Sequence, residues 1–250
     1  MKAMIFAAGL GTRLRPLTND RPKALVEVGG RTMLEIALSR LSSFGVREVI
    51  INTHHFAEKI NKYLVANGNF GIQIEISHEE ELLDTGGGLK KAAWYFLDGQ
   101  EPDCPSLAPF LIHNVDVIST IDLTVMAKFH TEQGALATLA VQDRATSRYL
   151  LFDKSGNLCG RRAGLDGKPE MARPAQTTTA LGFCGIHVIS PRIFAEMPEE
   201  GAFSIIDKYL LLAAQSEQIA AFRADGAEWQ DLGNPESVAA AEKQFIAGRP

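Results

Sequence analysis

Apolar residues fall along this chain in two alternating rhythms. Short apolar runs read as buried strands, and longer stretches with apolar residues three and four apart read as amphipathic helices. Ala3–Ala8 is the first such run and ends at Gly9. Met33, Ile36, Ala37, Leu38, Leu41 and Phe44 mark a helix over Thr32–Phe44, with Gly45 placed to cap it. Glu48–Asn52 is the next strand, Ala57–Asn67 a helix, and Ile72–Ile76 a strand of alternating pattern. Gly88–Leu97 reads as a helix, and Pro109–His113 as a strand running into Asn114-Val115-Asp116. This order predicts an α/β fold, a mostly parallel sheet with helices on both faces. In such sheets ligands bind beyond the carboxyl ends of the strands. Three polar clusters fall there: the loop after Ala8, Asn52-Thr53-His54, and Asn114-Val115-Asp116.

The second half is less regular. Leu123–Glu132 is read as a helix and Ala135–Val141 as a strand. Leu150–Asp153 and Leu158–Arg161 flank Lys154-Ser155-Gly156-Asn157, a hairpin signal. Arg162–Thr179 is polar, with glycine and proline, and reads as a mobile loop. Leu181–Ile189 is a strand, followed by a helix start at Ser190-Pro191. Ile205–Ala214 is a helix, Ile219–Arg223 a strand and Pro235–Phe245 a closing helix. No repeat and no linker stands out, so 1–250 is read as one domain with an extra lobe around 140–185.

Composition narrows the function classes. Lys and Arg number 25 against 30 Asp and Glu, a net charge of -5, and no basic run appears. That pattern excludes duplex nucleic acid as the expected partner, while leaving room for a local basic pocket around a small phosphorylated ligand. No apolar run approaches the roughly 20 residues of a membrane span. Lys2 and Ala3–Ala8 imitate a short signal peptide but run straight into Gly9-Leu10-Gly11-Thr12-Arg13, so a cytoplasmic protein is expected. Cys104, Cys159 and Cys184 are odd in number and lack CxxC spacing, which argues against a disulfide framework or a cysteine zinc site.

Candidate chemistry begins in the loop after the first strand. Gly9 and Gly11 permit a tight turn that brings backbone N–H groups close to a phosphate, and Arg13 and Arg15 add donors. Leu14 stands where the dinucleotide fingerprint needs a third glycine, and no G-K-[ST] follows, so neither common phosphate-loop design is met. An ordinary strand-to-helix turn is the competing reading. Lys23, after Pro22, is a surface charge or a ligand cation. Asp116 alone is a strand-end cap or a ligand, and Asp231 alone a turn residue or a ligand. His54 and His55 are adjacent and point apart on an extended chain, which argues against a metal pair. His113 is read as a strand residue, and Trp94, Tyr95 and Phe96 as core and surface rather than a stacking platform.

Taken together, the segments Phe6–Thr18 and Pro22–Gly30 resemble the signature of the sugar-1-phosphate nucleotidylyltransferases. The resemblance continues through Asp84-Thr85-Gly86-Gly87-Gly88, Asn114-Val115-Asp116, Gly185–Ile189 and Trp229–Glu236, and so spans nearly the whole chain. It implies a Rossmann-like fold of the nucleotide-diphospho-sugar transferase type with a small sugar-binding lobe. Residues 1–120 would form the nucleotide-binding half. Residues 121–250 would form the sugar-binding half with the second metal aspartate. The implied reaction is transfer of a nucleotidyl group from an NTP to a sugar 1-phosphate, with Mg²⁺ as cofactor. Ala8, Gly9, Gly11, Thr12 and Arg13 would hold the triphosphate, and Arg13 would stabilise the leaving pyrophosphate. Lys23 would sit on the α-phosphate and the incoming phosphate. Asp116 and Asp231 would ligate the metal, Asp84 and Gly87 would lie beside the nucleobase, and Asn114 and Arg173 would serve the sugar phosphate.

Three departures qualify the match. Val115 stands where the family commonly has glycine, Asn234 where threonine is frequent, and Glu170-Met171-Ala172-Arg173-Pro174 where many relatives carry Glu-Lys-Pro. Arginine and lysine are not interchangeable there. The short chain and Leu82–Gly88 resemble the N-acetylmuramate-1-phosphate uridylyltransferases most, which makes UTP with N-acetylmuramate 1-phosphate the expected pair. GTP with mannose or heptose 1-phosphate is the alternative, as is a regulatory subunit that binds sugar nucleotides without chemistry. A Rossmann oxidoreductase is disfavoured by Leu14 and by Asn52, which stands where an acidic residue would be needed. A homodimer stays open, since such dimers are common and no stretch marks an interface.

Overall fold

The computed structural model describes residues 1–104 and 107–246. In chain order the regular elements are β1 (Ala3–Phe6), β2 (Glu27–Val28), β3 (Arg31–Thr32), α1 (Met33–Ser43), β4 (Glu48–Thr53), α2 (Ala57–Ala66), β5 (Gln73–His78), α3 (Asp84–Lys91) and α4 (Ala93–Leu97). They continue with β6 (Phe110–Asn114), β7 (Val117–Ser119), α5 (Leu123–Gln133), β8 (Ala137–Gln142), β9 (Arg148–Phe152), β10 (Leu158–Ala163), β11 (Glu170–Met171), β12 (Thr179–Ile189), α6 (Ile205–Ala214), β13 (Ile219–Arg223), β14 (Trp229–Asp231) and α7 (Pro235–Ile246). The fold is α/β, as the alternating pattern requires.

Two compact units share the chain, and they interleave. The first comprises Met1–Leu82, His113–Thr120 and Glu228–Pro250; the second comprises Leu83–Ile112 and Ile121–Ala227. Asp231 falls in the first unit, where β14 pairs with β7.

In the first unit β1 pairs parallel with β4, and β4 with β5. Met4, Ile5, Val49, Ile50 and Ile51 are fully buried there, together with Leu34, Leu38 and Leu41 of α1. That burial explains why Ala3–Phe6 and Val49–Ile51 are apolar without interruption. Thr32 caps α1 by accepting the Glu35 N–H at 3.0 Å.

In the second unit the pairing is mixed. β13 runs parallel to β8, whereas β8–β12, β12–β9, β9–β10 and β10–β11 are antiparallel. The β9–β10 hairpin forms at the expected turn, where Asp153 Oδ1 accepts the Ser155 and Asn157 N–H groups, each at 2.9 Å. The segment read as a mobile loop contains β11, paired with β10 through Gly160–Met171 and Arg161–Glu170. A two-residue strand leaves no period to detect in sequence. Phe96, Phe110 and Phe194 stack in this unit's core.

The helix expected from Gly88 begins instead at Asp84 and breaks at Ala92. Glycine opposes helix by propensity, but packing overrides it. The Gly86 N–H donates to the Phe203 carbonyl at 2.8 Å, and a Cβ on Gly86 would collide with the Phe203 ring.

Candidate active site

The site assembles within the first unit. Beyond β1, the Ala7 N–H donates to Asn52 Oδ1 at 2.8 Å, and Asn52 Nδ2 donates to Glu79 Oε1 at 2.7 Å. Both side-chain partners are buried. The Glu79 N–H donates to the Thr53 carbonyl at 2.7 Å, and His54 Nδ1 lies 2.8 Å from the Glu79 carbonyl. This chain of bonds fixes the ends of three neighbouring strands beneath the glycine loop.

The loop turns at Gly11, whose φ of 62° is left-handed. Thr18 Oγ1 donates to the Gly11 carbonyl at 2.8 Å. A Cβ on Gly11 would lie 3.1 Å from Thr18 Cγ2 and 3.2 Å from Lys23 Cβ, so space as well as backbone angle selects glycine. A single turn, Thr12–Leu14, follows. Leu14 is wholly buried and anchors it, leaving Thr12 and Arg13 exposed.

Lys23 opens a short turn after Pro22 and reaches back toward the loop. Its Nζ is 4.0 Å from the point where a Gly9 Cβ would stand, and 2.8 Å from Asp116 Oδ2. Asp116 is buried just before β7. In the β7–β14 ribbon Asp231 faces Val117, and the Leu232 N–H donates to the Asp116 carbonyl at 2.8 Å. The two aspartates thus emerge from neighbouring positions at one end of the ribbon. Asp231 Oδ1 accepts the Gly233 N–H at 2.7 Å. A Cβ on Gly233 would lie 2.7 Å from that oxygen and 2.9 Å from Arg13 Nη2, so Arg13 also reaches this point.

Ala8, Gly9, Gly11, Thr12, Arg13, Lys23, Asn114, Asp116 and Asp231 all belong to this unit. Val115, the departure from the family pattern, is buried, and its N–H donates to the Phe6 carbonyl at 3.2 Å. His113 is buried as a strand residue, and loss of hydration pushes its imidazole down to about 4. Its Nδ1 is 2.7 Å from the Asn114 carbonyl.

The remaining expected residues lie in the second unit. Asp84 is exposed, with a left-handed φ of 55°, and its Oδ1 accepts the Thr85 N–H at 2.6 Å. Gly87 is buried where a Cβ would strike the Gly201 carbonyl, which gives its lack of a side chain a packing reason. Arg173 Nη2 is paired with Asp153 Oδ2 at 3.0 Å.

Sequence reading assigned no role to Gly233, Asn52 or Glu79. Gly233 lay inside the Trp229–Glu236 match, and Asn52 at a strand end; Glu79 carried no signal of its own.

The donors present fit a small hard cation. Asp116 and Asp231 offer carboxylate oxygens, the ligand type Mg²⁺ prefers. Among the described residues no group of three or more His, Cys, Asp or Glu is placed to hold a metal. An ion held by two carboxylates would complete its shell with phosphate and water oxygens, as Mg²⁺ commonly does.

A glycine turn, two cationic side chains and two carboxylates on an α/β scaffold are the equipment of proteins that handle polyphosphates. The chain belongs to the nucleotidyl transferase family, whose profile matches residues 2–247, and its curated relatives are sugar-1-phosphate nucleotidyltransferases. It is 33% identical to the N-acetylmuramate alpha-1-phosphate uridylyltransferase of Caulobacter vibrioides, over 97% of this chain and 96% of that one. It is 32% identical to the mannose-1-phosphate guanylyltransferase catalytic subunit beta of Danio rerio, over 99% of this chain but only 63% of that relative. Among solved structures, HddC from Yersinia pseudotuberculosis complexed with GMP-PN matches with a TM-score of 0.74 at 22% identity, covering 98% of this chain and 99% of that one. A putative glucose-1-phosphate thymidylyltransferase from Bacillus anthracis matches with a TM-score of 0.77 at 17% identity, covering 98% and 95%. These two likenesses show the nucleotide-diphospho-sugar transferase fold. No helix among the described residues is long and apolar enough to cross a membrane.

Proposed function

We propose that the protein joins UTP to N-acetylmuramate 1-phosphate, forming UDP-N-acetylmuramate and pyrophosphate. The observation that carries the reaction is the convergence of Arg13, Lys23, Asp116 and Asp231 around the Gly9–Gly11 turn and Gly233. The substrate pair rests on the Caulobacter relative, which matches this chain at nearly full length. GTP with a mannose or heptose 1-phosphate is the second reading, favoured by the guanylyltransferase relatives.

An oxygen of the sugar phosphate attacks the α-phosphorus, the bond to the β-phosphate breaks, and pyrophosphate leaves. The nucleophile is supplied by the substrate, so the protein's task is positioning and charge neutralisation. Backbone N–H groups of the Gly9–Thr12 turn hold the triphosphate after Ala8. Arg13 neutralises the departing pyrophosphate. Lys23 bridges the α-phosphate and the incoming phosphate, lowering their mutual repulsion. Asp116 and Asp231 would hold Mg²⁺, which supplies further neutralisation of phosphate charge. Asp84 and Gly87 are assigned to the nucleobase. Asn114 and Arg173 are assigned to the sugar phosphate, Arg173 exchanging Asp153 for it.

A pyrophosphate-release grid with Mg²⁺ tests this. UTP, GTP, CTP, ATP and dTTP are crossed with N-acetylmuramate, mannose, heptose, glucose and N-acetylglucosamine 1-phosphates. The expected strong pair is UTP with N-acetylmuramate 1-phosphate, lost in Asp116→Ala. A strong pair elsewhere overturns the substrate assignment. Silence across the grid favours a binding subunit without turnover.

A further inference from the structure

We infer that Lys23 acts as a built-in counter-cation that keeps a divalent ion off Asp116 until a nucleotide arrives. This rests on the phosphate-binding role proposed above for Lys23 and the metal-binding role for Asp116. The Lys23 Nζ lies 2.8 Å from Asp116 Oδ2, with side-chain exposures of 17% and 9%. A pair so withdrawn from water is screened little by salt, and removing one partner leaves a costly uncompensated charge. The ammonium and a divalent cation compete for the same carboxylate.

Geometry supplies the release. Lys23 Nζ already sits 4.0 Å from the Cβ position of Gly9, against the loop that takes the phosphates. Its flexible four-carbon stem allows the ammonium to turn from one anion to another. A triphosphate in the loop offers it an acceptor of higher charge than Asp116. The lysine then leaves the carboxylate, and the freed Asp116 takes the cation. Nucleotide and cation therefore bind with positive coupling, and the ligand-free protein discriminates against free divalent ions. Asp231 is held differently, by the Gly233 N–H and not by a lysine, so the two aspartates are unequal before substrate binds.

The test is Mn²⁺ binding to the nucleotide-free protein, read by electron paramagnetic resonance and calorimetry rather than by turnover. Lys23→Met is expected to bind Mn²⁺ about ten-fold more tightly than the unaltered protein, within the usual range of coupling between sites. Lys23→Arg, which keeps the charge, is expected to bind as weakly as the unaltered protein. The gain should vanish in the double variant Lys23→Met/Asp116→Asn. Should Lys23→Met fail to fold, the Lys23 ε-methylene signal is followed by NMR in the unaltered protein. It should stay fixed on Mg²⁺ titration without nucleotide and move when nucleotide is added. Equal Mn²⁺ binding by Lys23→Met and the unaltered protein, or a gain that survives without Asp116, overturns the proposal. So does a Lys23 signal that Mg²⁺ alone displaces, or that nucleotide leaves unmoved. A silent pyrophosphate grid would instead count against the reaction, with the Mn²⁺ result standing independently.

Discussion

Arg13 and Asp231 border the same small space at Gly233: the point where a Cβ would stand is 2.9 Å from Arg13 Nη2 and 2.7 Å from Asp231 Oδ1. A cation assigned to the leaving group and a carboxylate assigned to the metal thus both occupy room that the absence of one methyl group leaves. Gly233→Ala should push the two side chains apart. The expected result is a loss of roughly 100-fold in kcat/KM, the scale of removing one preorganised charge contact. Thermal unfolding should shift by no more than about 2 kcal/mol, typical of a local overpacking. Steady-state kinetics beside calorimetry check both.

The Ala7–Asn52–Glu79 chain predicts a residue that matters without touching substrate. Asn52→Leu removes the acceptor of a buried N–H and the amide partner of a buried carboxylate. A cost of about 2–4 kcal/mol in urea unfolding is expected. The surviving folded protein should show a raised KM for the nucleotide, because the loop after Ala7 loses its anchor.

Helix α3 carries its own test. Gly86→Ala drives a Cβ into Phe203 and should cost roughly 1–3 kcal/mol. Gly226→Ala is the control. Nothing lies within 4 Å of its Cβ position, and its stability should be unchanged or slightly raised. Denaturant midpoints of the two variants should separate in that order.

Two histidines set the acid limb of stability. Burial pushes His113 and His130 down to about 4 from 6.5, with Arg40 and Arg192 respectively adding to the effect. Below pH 6.5 the unfolded chain takes up protons that the folded chain refuses. Stability is therefore full above pH 6.5 and falls as the pH drops toward 4, by up to roughly 3 kcal/mol per histidine. His130→Gln, which can still pair with Thr138 Oγ1, should flatten this slope. Urea midpoints at pH 7 and pH 5 measure it.

Much of this protein was legible from its amino acids alone. The apolar runs over Ala3–Phe6 and Val49–Ile51 read as buried strands because they are continuous in apolar residues yet too short for a helix. The helices over Met33–Ser43 and Ile205–Ala214 followed from spacing, and the family from the matched segments Phe6–Thr18, Pro22–Gly30, Asp84–Gly88, Asn114–Asp116, Gly185–Ile189 and Trp229–Glu236. These signals are local, and local signals survive in one dimension. Tertiary structure alone decided the rest. Gly86 and Gly87 are helical because the Gly201–Phe203 segment lies against them, which no propensity records. Glu79 serves the loop through Asn52, a partner 27 residues away. Lys23 meets Asp116 across 93 residues, and Gly233 leaves the space that Asp231 and Arg13 both border. Contacts of that range depend on how the strands pair and on which side chain is missing at the crossing, and neither is written in the periodicity of any single segment.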